Sequence, residues 1–200
     1  TRYKGRKATA TCPCGYLHLV PCILYLVSSI FRAMTAYLLP VFAYLLGSVS
    51  SAIVIARLFG LKDPREVGSG NPGATNILRY GGKKAAILTL LGDMLKGVAP
   101  VLIARALSGD SAVVALTMLA TFLGHVFPVF HGFKGGKGVA TAFGALVAMN
   151  GWVGLALVGS WLVVAVATRY SSLSAITVAV LAPVYVWWFV HEPALVLATG

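Results

Sequence analysis

Carboxylates are what this sequence most lacks. Its 200 residues hold five Asp and Glu against 16 Lys and Arg, and charged residues together make up only 10%. The acids are Asp63, Glu66, Asp93, Asp110 and Glu192, too few and too scattered to assemble a metal centre or a covalent-nucleophile mechanism. No G-x-S-x-G nucleophile elbow and no H-E-x-x-H zinc motif occurs. No His is followed after four residues by Asp. Cysteine is equally sparse: Cys12, Cys14 and Cys22 sit near the N-terminus, without a C-x-x-C pair, and give neither a disulfide framework nor a metal site. Internal repeats and low-complexity segments are missing too. No metal and no cofactor is expected.

What the chain has in excess is apolar length. Hydrophobic residues reach 58% and the mean hydropathy is +0.87. A soluble domain sits nearer half apolar, with about a quarter of its residues charged. The composition therefore predicts an all-α integral membrane protein, a multi-span helical bundle. Spanning helices need about 20 apolar residues, and they are predicted roughly over 36–58, 84–107, 112–130, 138–150, 152–168 and 172–190. A seventh run opens at Pro193, which suggests that a further helix and a third motif lie beyond the end of the chain. Residues 1–33 begin with a basic stretch followed by a short apolar run containing Pro21, and read as an extension ahead of a membrane domain at 34–200.

The net charge of +11 suggests an anionic partner: nucleic acid, anionic lipid or an anionic substrate. The basic residues sit in short loops between apolar runs and form no soluble basic face, which argues against nucleic acid. If the spans alternate, loop A (59–83, with Lys62, Arg65, Arg79 and Lys83) and loop B (131–137, with Lys134 and Lys137) fall on one side. The positive-inside rule makes that side cytoplasmic.

Both loops are rich in glycine. Loop A contains VGSGNPGATNILR over 67–79. Gly68, Gly70 and Gly73 permit turns in which backbone N–H groups form an anion-binding nest. Ser69, Asn71, Thr75 and Asn76 add neutral hydrogen-bonding groups. From Ala74 the chain can turn helical, which would put Asn76 and Arg79 on one face, and a guanidinium suits a phosphate. A plain polar turn is the alternative. Loop B reads GFKGGKGVA over 132–140. Its spacing is not that of a nucleotide P-loop, since one spacer residue and the metal-binding hydroxyl are missing. Gly135, Gly136 and Gly138 could present N–H groups to an anion beside Lys134 and Lys137, ahead of a helix N-terminus. The alternative is a flexible basic connector. Two such loops on one face suggest a site for two anionic groups. His125 sits near the end of the third predicted helix and His131 near its exit; for each, a packing role competes with a chemical one. Asp93 and Lys96, in GDMLKG, lie deep in a predicted span, where ionisable groups are costly. They either act together or simply neutralise each other.

The stretches GSGNPGATNILR, GDMLKG and GHVFPVFHGFKGGKGVAT resemble the bacterial membrane-integral acyl-phosphate:glycerol-3-phosphate acyltransferase family. The resemblance runs from about Met34 to the C-terminal end. It implies a seven-helix bundle in the cytoplasmic membrane of bacteria with its active site facing the cytoplasm. It implies transfer of a fatty acyl group from acyl phosphate to the 1-position of glycerol 3-phosphate, giving lysophosphatidic acid. It further implies a functional link to the enzyme that makes acyl phosphate from acyl carrier protein. Carried over by motif, Ser69 and Arg79 would hold glycerol 3-phosphate and Lys137 would bind phosphate at the reacting centre. Gly135, Gly136 and Gly138 would cradle the acyl-phosphate head group, with Gly68 and Lys134 in the two binding loops. Asn71, Asn76 and His125 would shape the pocket or hydrogen-bond a substrate. The family's third motif has no counterpart in this sequence. A transporter or channel for phosphorylated metabolites is the alternative; it would want internal repeats and matching motifs on both faces.

Overall fold

The computed structural model describes residues 19–199, so Cys12, Cys14 and the basic stretch around Arg2, Lys4, Arg6 and Lys7 lie outside the described residues. Among the described residues nine α-helices follow in order: α1 (Leu19–Gly47), α2 (Ser51–Leu58), α3 (Ala74–Tyr80), α4 (Gly82–Leu107), α5 (Ser111–Val126), α6 (Val139–Met149), α7 (Gly151–Thr168), α8 (Ser171–Val190) and α9 (Pro193–Leu197). No strand occurs among the described residues. Among the described residues five helical segments are long and apolar enough to cross a membrane, and α6 is a shorter apolar helix. Contacts divide the chain into Thr1–Met34 and Thr35–Gly200. The first unit, where described, is helical with its apolar side chains exposed; the second holds everything discussed below.

The predicted first span, 36–58, is not one helix. It breaks at 48–50, and α1 begins well before Met34. The break has local causes. A Cβ on Gly47 would run into the Thr121 backbone of α5, so α1 and α5 touch main chain to main chain there. Ser50 caps α2 by accepting the Ile53 N–H at 3.4 Å. Ser48 Oγ donates back to the Tyr44 carbonyl at 2.8 Å and accepts the Val129 N–H at 3.4 Å. The Val49 carbonyl accepts from Lys96 Nζ at 2.9 Å. Irregular backbone at membrane depth survives only when its polar groups find such partners.

Lipid gives no hydrophobic drive for helices to associate, so close packing through small residues does that work. α4, with 26 residues, is about 39 Å long and forms the axis. A Cβ on its Gly97 would strike the Thr141 carbonyl of α6, and one on Gly144 of α6 would strike the Met94 carbonyl of α4. α4 continues through Pro100 without interruption. Val101, Ala104, Val113, Met118, Leu146 and Leu157 belong to the main core, while Ala52, Ala56, Ile77, Ala85 and Ala86 form a second cluster that seats α2 and α3 on the start of α4. Replacing Gly144 by Val should therefore force α4 and α6 apart. A loss of about 1–3 kcal/mol is expected, read as a lowered melting temperature in detergent; an unchanged melt would contradict this packing.

Candidate functional site

Loop A is a scaffold built around one buried amide. Asn76, on α3, is 2% exposed. Its Oδ1 accepts the Ser69 N–H at 2.9 Å, and its Nδ2 donates to the carbonyls of Pro64 at 2.8 Å and Val67 at 3.0 Å. Both amide hydrogens are thereby used. Gly68 has φ +64, and a Cβ on it would collide with Asn76 Oδ1; this is why the turn before Ser69 needs glycine. Tyr80 Oη donates to the Lys62 carbonyl at 3.0 Å and pins the end of α3 to the start of the loop. The helix expected from Ala74 is present, but its predicted common face divides: Asn76 points inward as framework while Arg79 is exposed. Ser69 is exposed and Asn71 half-buried. Ser69, Asn71 and Arg79 are among the polar side chains that the loop leaves at least partly open.

Loop B is anchored to the end of α5. The Gly135 N–H donates to the Val126 carbonyl at 3.1 Å, and the Gly136 N–H to the His125 carbonyl at 3.2 Å. These two glycines, expected to offer N–H groups to an anion, have thus given them to the protein. Their contribution is close approach. α6 starts at Val139 from Gly138, which has φ +76 and provides no side-chain cap, and the first-turn N–H groups of a helix have no partner within it. Lys134 and Lys137 are exposed beside them. The expected helix N-terminus behind the loop is present, with the useful donors one step later than the glycine pair.

The two loops meet at Gly136. A Cβ there would stand 3.1 Å from the Pro72 carbonyl of loop A and would also collide with His125 Nε2. His131 lies within electrostatic reach of Arg57 and Arg65, on the same side. His125 is 7% exposed, its ring packed under Gly136 and its Nδ1 3.6 Å from Asp93 Oδ1. Asp93 in turn pairs with Lys96 at 3.0 Å, both buried. Asp93 and Lys96 were not assigned to the site by sequence reasoning, although GDMLKG drew attention to them. What the sequence could not show is that loop B reaches down to their level of α4. Beneath loop B lies an apolar cavity of about 190 Å³ between α5, α6, α8 and α9, lined by Met118, Phe122, Ala142 and Ala145 among others. Phe122 also packs against Gly138, so the cavity begins where the glycine loop ends.

Two predictions test this geometry. Asn76→Ala should orphan the Ser69 N–H and two carbonyls, at about 1–3 kcal/mol per buried group; limited proteolysis should then cut within 59–73 before the helical bundle opens. Arg65 forms a two-pronged pair with Asp63, at 3.0 and 2.7 Å, which holds the Asp63 carboxyl down to about 2 from its usual 3.8. Because the folded value is depressed, any stabilisation is complete above about pH 4 and is lost as pH falls through about 2. The pair is partly exposed, so Asp63→Asn should change stability by less than ~1 kcal/mol and leave melting curves between pH 5 and 8 parallel to the wild type.

Comparison with known proteins identifies the family. A family model described as glycerol-3-phosphate acyltransferase matches residues 37–200. A glycerol-3-phosphate acyltransferase of Thioalkalivibrio sulfidiphilus is 58% identical over 162 residues, covering 78% of this chain and 80% of that protein. One from Methylococcus capsulatus is 56% identical over 163 residues, covering 82% of each. A crystal structure of PlsY, an integral membrane glycerol 3-phosphate acyltransferase, in its glycerol 3-phosphate form is similar with a TM-score of 0.77 and 45% identity over 82% of each chain. A lysophosphatidic acid form of PlsY gives 0.76 and 43% over the same shares. With two glycine-rich basic loops joined over a multi-span helical bundle, and with matches of this extent, the chain belongs to the glycerol-3-phosphate acyltransferase family of integral membrane proteins.

Proposed function

We propose that this protein transfers a fatty acyl group from acyl phosphate to the 1-hydroxyl of glycerol 3-phosphate, releasing inorganic phosphate and lysophosphatidic acid. The reaction is placed at the cytoplasmic face of the bacterial inner membrane, where an enzyme that makes acyl phosphate from acyl carrier protein supplies the donor. The observation that carries this reading is the meeting of loops A and B at Gly136 and Pro72. It suits a reaction in which two phosphate-bearing molecules must be held side by side. Ser69 and Arg79 take the glycerol 3-phosphate phosphate. Lys137 and the first-turn N–H groups of α6 take the phosphate of the donor, and the acyl chain descends past Phe122 into the apolar cavity.

In the chemical step the glycerol hydroxyl oxygen attacks the acyl carbon. The new ester bond forms as the bond from that carbon to the phosphate oxygen breaks, and phosphate leaves with the electron pair. The hydroxyl proton passes to a phosphate oxygen of a substrate. Acyl phosphate is already activated, so the protein's task is positioning and offsetting charge on the leaving phosphate. His125 does not serve as the base in this scheme: it is buried, with Nε2 against Gly136. The transporter alternative loses support on the opposite face, where Arg105 donates to the Ala148 carbonyl at 2.6 Å and acts as a tie between α4 and α6.

The experiment is an acyltransferase assay on purified protein with labelled glycerol 3-phosphate and either palmitoyl phosphate or palmitoyl-CoA. Product from the phosphate donor alone, lost by about 10²-fold or more in Lys137→Ala, is the expected result; product from the thioester alone would overturn the donor assignment. Narrowing the cavity with Ala142→Leu should lower activity with palmitoyl phosphate more than with decanoyl phosphate. Equal loss with both would place the acyl chain elsewhere.

A further inference from the structure

Asp93, Lys96 and His125 form a cluster of ionisable side chains in the middle of the helical bundle, and the acyl transfer described above uses none of them to touch substrate. All three are buried. Lys96 Nζ reaches two groups, Asp93 Oδ1 at 3.0 Å and the Val49 carbonyl at 2.9 Å. Asp93 Oδ1 and His125 Nδ1 face each other at 3.6 Å, and neither has a hydrogen bond among the described residues; Lys96 is an ionic neighbour of Asp93 without a directional bond. The opposite edge of the imidazole, Nε2, packs under Gly136, whose N–H is held by the His125 carbonyl. One continuous line of contacts therefore joins the break at 48–50 and α4 to α5 and loop B.

Burying an ion pair is seldom a gain in stability over an apolar pair. A pair kept at this position therefore calls for another account. The geometry points to Asp93 as a positioning residue for the transfer reaction: its carboxylate faces the His125 Nδ1, accepts the N–H there once substrate closes the gap, sets the ring's tautomer and angle, and through the ring fixes Gly136 and the neighbouring Lys137. Lys96 lies against the same carboxylate and ties that point to Val49. Hydrogen bonds of this kind are often long in an unliganded site and tighten when substrate is present. A displacement of about 1 Å at reacting groups can cost on the order of 10²-fold in rate, so a distant carboxylate of this sort should appear in kcat.

Two variants separate positioning from charge neutralisation. Asp93→Leu with Lys96→Met replaces the pair by apolar residues and leaves His125 without an acceptor. Asp93→Asn with Lys96→Met is equally uncharged but restores an acceptor oxygen. We expect both proteins to melt within a few degrees of each other, with kcat down at least ~10-fold in the Leu variant and substantially recovered in the Asn variant. Equal kinetics in the two would overturn the inference. Should the Leu variant not fold, ¹⁵N-histidine NMR of the wild-type protein decides: the His125 signal, assigned by its loss in His125→Gln, should be that of the Nδ1–H tautomer, and the Nε2–H tautomer would refute it. The kinetic arm rests on the acyltransferase reading, whereas the NMR arm does not. A wild-type protein inactive in transfer but showing the Nδ1–H form would thus fail the former reading alone.

Discussion

Gly136 has no room for a side chain, and the candidate site depends on that. A Cβ there would meet both the His125 ring and the carbonyl of Pro72. The first contact ties loop B to α5, and the second ties it to loop A. Two polypeptide segments more than fifty positions apart are thereby brought into main-chain contact at the mouth of the bundle. Lys137 follows directly, so the position of its cationic side chain is inherited from a point where the backbone cannot relax. The packing also explains why a loop so rich in glycine need not be loose: its freedom of dihedral angle has been used to approach neighbours, and its N–H groups are bonded to the end of α5.

Around this point the membrane imposes its own accounting. Each interrupted helix leaves polar backbone that lipid cannot solvate. The break at 48–50 is covered by Lys96, by the Ser48 hydroxyl and by the Ser50 cap. Covering it brings α2 alongside α4, where Gly92, in the middle of α4, closes on Ser51. Loop A is then handed to α3 through Asn76. The buried ion pair, the broken helix and the two glycine loops are parts of one arrangement, and none has an evident reason to exist without the others.

Much of this was legible in the sequence. The helical membrane class, the approximate positions of α4 through α8 and the pairing of the two basic loops on one side follow from apolar length and charge. The stretch 36–58 reads as one span because the apolar residues on either side outweigh Ser48 and Ser50 in a hydropathy average; what stops the helix is tertiary, namely Thr121 at Gly47 and Lys96 at Val49. Asn76 read equally well as ligand or framework, since an amide serves both, and only its three filled hydrogen bonds decide for framework. The use of the Gly135 and Gly136 N–H groups could not be inferred from spacing, because their acceptors are carbonyls of α5. Asp93 and His125 are 32 positions apart, and nothing in either motif announces that they face each other.

The contact at Gly136 is the point at which the account is most exposed. Gly136→Ala adds a single methyl group, which would meet the buried His125 ring and crowd the Pro72 carbonyl. Steady-state kinetics of that variant against both substrates, beside its melting curve, form the direct test. The account predicts a protein that still folds, with kcat/KM lowered at least ~10-fold for both glycerol 3-phosphate and the acyl donor, because the two loops shift together. Wild-type kinetics with both substrates would contradict it, and would mean that the loops bind and react without being held at this junction.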